Sequence, residues 1–133
     1  MKSNKEILKD YLDALWCNRN LNALDKYVDK YVQIQSPLGK VRTKEDMLKI
    51  IAQWFISFPD LSFEWNDFIA EDNKVVVHWT ATGTQSGDFY DIKATHKKIT
   101  WAGVAIYYFE HGKIVRYWAM VDMQHILDAL KKD

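Results

Sequence analysis

Asp122 is the residue of this sequence whose type and position most invite chemistry. It closes the run Trp101-Ala-Gly-Val-Ala-Ile-Tyr-Tyr-Phe-Glu-His-Gly-Lys-Ile-Val-Arg-Tyr-Trp-Ala-Met-Val-Asp122, two apolar strands joined at His111-Gly112. The ten residues before it carry only the charges of Lys113 and Arg116. A carboxylate that ends such a strand at the edge of a largely apolar chamber has a raised pKa and can hold or move a proton near neutral pH. A structural role competes with this one. Asp122 stands directly before Met-Gln-His-Ile-Leu, where an aspartate caps a helix by accepting the N–H of Gln124 or His125, worth about 1 kcal/mol. A carboxylate accepting two or three amides has a lowered pKa and makes a poor general acid. Proton transfer is the expectation carried forward, with capping as its rival.

The elements that must position Asp122 follow from periodicity. Ser3-Asn-Lys-Glu6 has capping-box spacing, and Ile7, Leu8, Tyr11, Leu12, Leu15 and Trp16 then recur at three and four residues, which predicts a helix with one buried face. A short second helix is expected over residues 21–28, then an alternating segment over 31–35 that stops at the turn Ser36-Pro37-Leu38-Gly39. Thr43-Lys-Glu-Asp46 opens a third helix, whose apolar positions Met47, Ile50, Ile51, Trp54, Phe55 and Phe58 keep helical spacing until Pro59 forbids continuation. After Pro59 the period changes to two, through 61–65, 74–82 and the final pair of strands. Residues 84–98 read as a loop across the mouth of the sheet, and 123–132 as a closing helix. Helices first and mostly antiparallel strands afterwards is an α+β arrangement, with helices on one face of a strongly bent sheet.

Register decides which side chains reach Asp122. A two-residue turn at His111-Gly112 sets Tyr107 opposite Arg116, Ala105 opposite Trp118 and Trp101 opposite Asp122. A bulge at Gly112 instead sets Val104 opposite Trp118 and Thr100 opposite Asp122, and brings Tyr108 to that face. Either Tyr107 or Tyr108 is an apt hydrogen-bond donor to an enolate oxygen, and an outward-facing tyrosine is the plainer outcome for each.

Bulk composition excludes several function classes. The 133 residues form one expected domain, 1–133, long enough to bury a core without disulfides or metal. Acidic and basic residues balance at 18 each and are interspersed, so nucleic acid and membrane surfaces are not expected partners. No apolar signal core or membrane-length window occurs, and a cytoplasmic location is the default expectation. The lone Cys17 reads as a small packed residue without a role. His78 alternates with Val77 and Trp79 and points either into the cavity or outward. His96, His111 and His125 read as loop, turn and helix-surface residues. No His has a partner at metal-ligand spacing, so no metal and no cofactor are expected. Six Trp, seven Tyr and six Phe exceed what a small solid core usually needs and suit the walls of a pocket for a flat organic ligand. Tyr11, Trp16, Trp54, Phe58, Trp79, Phe89 and Trp101 are the candidate walls, with ordinary packing as the alternative.

Tyr11-Leu-Asp-Ala-Leu-Trp16, Ala23-Leu-Asp-Lys-Tyr-Val28, Ser57-Phe-Pro-Asp-Leu61, Trp79-Thr-Ala-Thr-Gly-Thr84, Ala94-Thr-His-Lys-Lys98 and Gly112-Lys-Ile-Val115, with Trp118 and Asp122, resemble the SnoaL-like polyketide cyclase and ester cyclase group of the NTF2-like superfamily. The resemblance runs through nearly the whole chain. It implies a cone-shaped α+β fold with N-terminal helices on a strongly curved, mixed, mostly antiparallel sheet, and a homodimer paired through the exposed sheet face. It implies an activity of cyclase or isomerase type on a small apolar carbonyl compound, with Asp122 as general acid/base and Trp118 lining the cavity. Relatives often carry a His before the early turn, where this chain has Gln35-Ser36-Pro37; Gln35 can hydrogen-bond a substrate but cannot titrate. The loop that commonly reads Pro-Thr-Gly-Lys is Ala94-Thr95-His96-Lys97, and Arg116 replaces a usual Glu. The alternative reading is a non-catalytic module that binds a small apolar molecule or dimerises, with Asp122 as a cap.

Overall fold

The structure, a computed structural model, describes residues 2–37, 39 and 41–132. Helix α1 (Asn4–Leu12) starts in the expected capping box, Ser3 Oγ accepting the Glu6 N–H while the Glu6 carboxylate accepts the Ser3 N–H, and it buries Leu8, Tyr11 and Leu12. A π-helical turn, Asp13–Cys17, prolongs it. This wider turn carries Trp16 and leaves Cys17 exposed, not packed as expected. Helix α2 (Ala23–Tyr27) runs straight into strand β1 (Val28–Gln35). A hydrogen bond of 2.9 Å from Gly39 N–H to Ser36 O closes the following turn, of which Leu38 lies outside the described residues. Strand β2 (Val41–Arg42) leads to helix α3 (Lys44–Ser57), again opened by a capping box, Thr43 with Asp46, and ended before Pro59.

Strands β3 (Ser62–Glu71), β4 (Lys74–Thr84), β5 (Lys98–Glu110) and β6 (Lys113–Val121) follow, and helix α4 (Met123–Lys131) closes the chain. The sheet order is β2-β1-β6-β5-β4-β3, in which β1 runs parallel to β6 and every other pair is antiparallel. No helix of the described residues is long and apolar enough to cross a membrane.

The β5–β6 register is neither of the two expected. His111-Gly112 is a two-residue turn with positive φ at both positions, 51° and 76°, and Glu110 pairs with Lys113. A bulge in β6 then shifts the pairing by one, so that Tyr107 faces Tyr117, Tyr108 faces Arg116 and Ile106 faces Trp118.

Alternation along β5 buries Trp101, Gly103, Ala105, Tyr107 and Phe109 on the helix side. The interior holds two aromatic and aliphatic clusters. Leu8, Tyr11, Leu12, Ile34, Ile51, Tyr107 and Tyr117 belong to the first, and Phe58, Leu61, Phe89, Trp101, Ile126 and Leu130 to the second. Trp16, Phe55 and Trp79 pack against both. Trp79 can lie there because it pairs with Gly103, where an added Cβ would stand 2.1 Å from the indole ring. Gly103→Ala therefore lowers stability by about 1–3 kcal/mol through overpacking, measured by urea denaturation. In a Trp79→Val background the same change costs less, because the clash is gone; equal costs in both backgrounds would assign the glycine another role.

Candidate functional site

The β6 alternation turns Val121 inward and the next residue outward. Asp122 is exposed, its Oδ1 accepts the His125 N–H at 3.2 Å, and its own N–H donates to Ala102 O at 3.1 Å. It is the N-cap of α4. His125 Nε2 lies 2.9 Å from Thr100 O and ties the same turn to β5. The carboxylate thus stands in solvent at the rim, between Val121 and Met123, which both pack on the second cluster. That differs from the enclosed setting expected from the apolar run, since the inward positions of that run do not include Asp122.

The expected pocket residues fall into two groups on opposite faces of the sheet. Tyr11, Trp16, Trp54, Phe58, Trp101 and Tyr107 are interior. Gln35, His78, Tyr108 and Trp118 are not, because strand parity sends them to the face away from the helices. Gln35 pairs with Trp118 there, His78 Nδ1 is 3.8 Å from the Asp67 carboxylate, and the Arg116 guanidinium lies 4.0 Å over the Tyr108 ring. Trp118 and Gln35 are therefore neighbours, as a shared site would need, but on the open face and not in the helix-covered interior.

Within the interior the aromatic end is filled. Trp54 stacks on Trp101 with centroids 5.7 Å apart, and Phe89 from the 85–97 loop enters beside them, 5.1 Å from Trp54 and 5.5 Å from Phe58. The loop is held by buried polar groups. Ser57 Oγ donates to Asp88 O at 2.7 Å, while Gln85 Nε2 donates to Ile92 O at 3.0 Å and its Oε1 accepts from Thr95 N and Oγ1. Two open surface hollows of ≈450 and ≈470 Å³, one beside Lys9, Asp13, Trp65 and Phe68 and one beside Arg42, Asp46 and Ile50, touch none of the expected site residues.

At the other end three tyrosines from three elements meet: Tyr11 of α1, Tyr107 of β5 and Tyr117 of β6. Ring centroids are 6.4 Å apart for Tyr11 and Tyr107 and 4.8 Å for Tyr107 and Tyr117. Burial pushes all three hydroxyl pKa values up, so they stay protonated donors. Tyr117 was not among the residues singled out by type and spacing. Its inward position depends on the bulge in β6, which shifts parity between the turn and Tyr117 and leaves no mark in the hydrophobic pattern. Among the described residues no Asp, Glu, His, Lys or Arg is buried, and no three His, Cys, Asp or Glu side chains gather as a metal-binding set.

Helices packed on one face of a curved, mixed six-stranded sheet define the cone-shaped α+β fold of the NTF2-like proteins. The sequence profile of the SnoaL-like polyketide cyclase family matches residues 6–130, and the chain belongs to that family. Solved structures superpose over almost its full length. AclR of Streptomyces galilaeus, a candidate hydroxylase, is 26% identical with a TM-score of 0.89, over 98% of this chain and 82% of its own. TsrD of Streptomyces laurentii is 22% identical with a TM-score of 0.85, over 98% and 97%. A SnoaL-like polyketide cyclase of Agrobacterium tumefaciens is 23% identical with a TM-score of 0.81, over 98% and 99%. No curated protein matches the chain.

The cap itself is testable. Asp122→Ala removes the acceptor for the His125 amide and lowers stability by about 1 kcal/mol, whereas Asp122→Asn keeps an acceptor and stays within a few tenths of wild type. Thermal and urea denaturation of the pair measure this; equal loss in both would mean that the charge, not the hydrogen bond, holds the turn.

Proposed function

We propose that the chain is a cofactor-independent enzyme of cyclase or isomerase type, acting on a small apolar carbonyl compound of polyketide or ester kind, with Asp122 as general acid/base. The family match across residues 6–130 carries this reading, because it spans both the aromatic interior and the strand that ends at Asp122. In this scheme the carboxylate takes a proton from a carbon next to a carbonyl, and the electron pair moves onto the carbonyl oxygen as an enolate. In a cyclisation the enolate carbon bonds to a second carbonyl carbon, whose oxygen receives the proton back. Only Oδ1 is engaged with the helix amide, which leaves Oδ2 for the proton. The fold also houses a candidate hydroxylase, so the reaction type rests on the family and the acid, not on the fold.

The second reading, a binding or dimerisation module without catalysis, is favoured by one observation: Asp122 already has a structural task as cap. Deuterium wash-in separates the two. With aryl and alkyl β-keto esters in D2O, followed by NMR, wild-type protein speeds exchange at the activated carbon and Asp122→Asn returns it to the buffer rate. No acceleration by the wild type leaves the binding module as the reading that stands.

The proposal includes a homodimer joined through the open sheet face. Val104 pairs with Met120, and Ile106 with Trp118, on that face, and Met120 is 43% exposed. Such a patch favours a like partner. Light scattering then gives the dimer mass, and Met120→Glu gives the monomer; a wild-type monomer at all concentrations overturns this part.

A further inference from the structure

We infer that the hydroxyls of Tyr11, Tyr107 and Tyr117 form a hydrogen-bonding site for a carbonyl or phenolate oxygen of a flat apolar ligand. The three residues are 1%, 7% and 3% exposed. None of their hydroxyls has a hydrogen-bond partner among the described residues; burial and neighbouring phenols alone perturb them. Burying a hydroxyl without a partner opposes folding, and three in contact repeat that cost at one place. Among the described side chains the Trp65 indole nitrogen is the one buried polar atom that is both sealed from solvent and unpartnered. The phenol oxygens are therefore unpartnered but not wholly sealed, and a ligand oxygen that enters among them supplies the acceptor they lack.

The chemistry of the site follows from what it lacks. Protonated phenols offer donors, and among the described residues no buried base competes for them. Nor does a buried carboxylate among the described residues attract a cation or an amine. Leu8, Leu12, Val28, Ile34 and Ile51 belong to the same cluster and make its surroundings apolar. The matching ligand presents an oxygen acceptor on an otherwise apolar frame, and the acceptor gains most when it carries negative charge, because charge-assisted hydrogen bonds are the stronger ones. Tyr117 and Asp122 are five positions apart, roughly 16 Å along an extended chain, so the oxygen held here is not the one beside the rim carboxylate. The inference rests on the small-molecule reading above, in either its enzymic or its binding form, and names the group that the ligand presents.

4-Nitrophenol is a suitable probe, since it is flat, its oxygen is an acceptor when ionised, and its absorbance reports ionisation. Wild-type protein is expected to bind it with the phenolate favoured. Tyr11→Phe, Tyr107→Phe and Tyr117→Phe each weaken binding by roughly tenfold or more, while Tyr108→Phe on the open face leaves it unchanged. The unliganded Phe variants keep or exceed the wild-type Tm, because the lost hydroxyl has no internal partner; a purely structural role would lower it. Unaltered probe affinity in all three variants, or no uptake by the wild type, overturns the site. Probe uptake without deuterium exchange keeps the site and removes the enzymic reading, and exchange without probe uptake does the reverse.

Discussion

The close approach of the Trp79 ring to the backbone of Gly103 sets the plan of the interior. Along the inward face of β5 the side chains run large, absent, small, large, large: Trp101, Gly103, Ala105, Tyr107, Phe109. A helix-covered sheet face of uniform large residues would hold its helices far off. The gap at Gly103 lets an indole from β4 cross the middle of the sheet, and Trp79 then touches both clusters. The interior consequently has two ends of different character. One is a stack of phenyl and indole rings, Trp54, Phe58, Phe89 and Trp101, and the other is a set of phenols.

Closure of the ring-lined end depends on α4, which is fixed at both termini by polar side chains. Asp122 caps its start, His125 reaches back to Thr100 O, and Lys97 Nζ donates to Leu130 O at 3.2 Å near its last turn. A cation on the final carbonyls also complements the helix dipole. The buried hydrogen bonds of Gln85 and Ser57 hold the 85–97 loop that brings Phe89 inside. Ser57 and Gln85, buried polar residues of the interior, are thus engaged in holding the loop. The buried phenols of Tyr11, Tyr107 and Tyr117 have no such task.

Much of this frame is legible from residues alone. Two capping boxes, Ser3 with Glu6 and Thr43 with Asp46, fix helix starts by local hydrogen bonds, and Pro59 fixes a stop by a missing N–H; such signals act within a few residues. The change of period after Pro59 gives the strands. What escapes is parity. The bulge in β6 and another between Trp65 and Asp67 in β3 each insert one residue and exchange inward for outward positions beyond them. A bulge is set by twist and by the partner strand, which no local pattern encodes. Trp118 and Gln35, read as pocket residues, therefore meet on the open face, while Tyr117 enters the interior unannounced. The π-helical turn Asp13–Cys17 is a comparable case, since Leu12, Leu15 and Trp16 fit an α-helical stripe equally well.

The position of Asp122 has a physical reason of its own. A carboxylate buried among rings without a cation carries a desolvation penalty far above that of a phenol, and this interior contains no buried Lys, Arg or His among the described residues to offset it. At the rim the same carboxylate keeps its hydration and gains a helix amide. Among the described residues the protein's own phenol donors thus lie inside and its charged side chains at the edge. On the proposed reading, ligand recognition at Tyr117 and any acid–base step at Asp122, the residue just after β6, would belong to different regions of one segment.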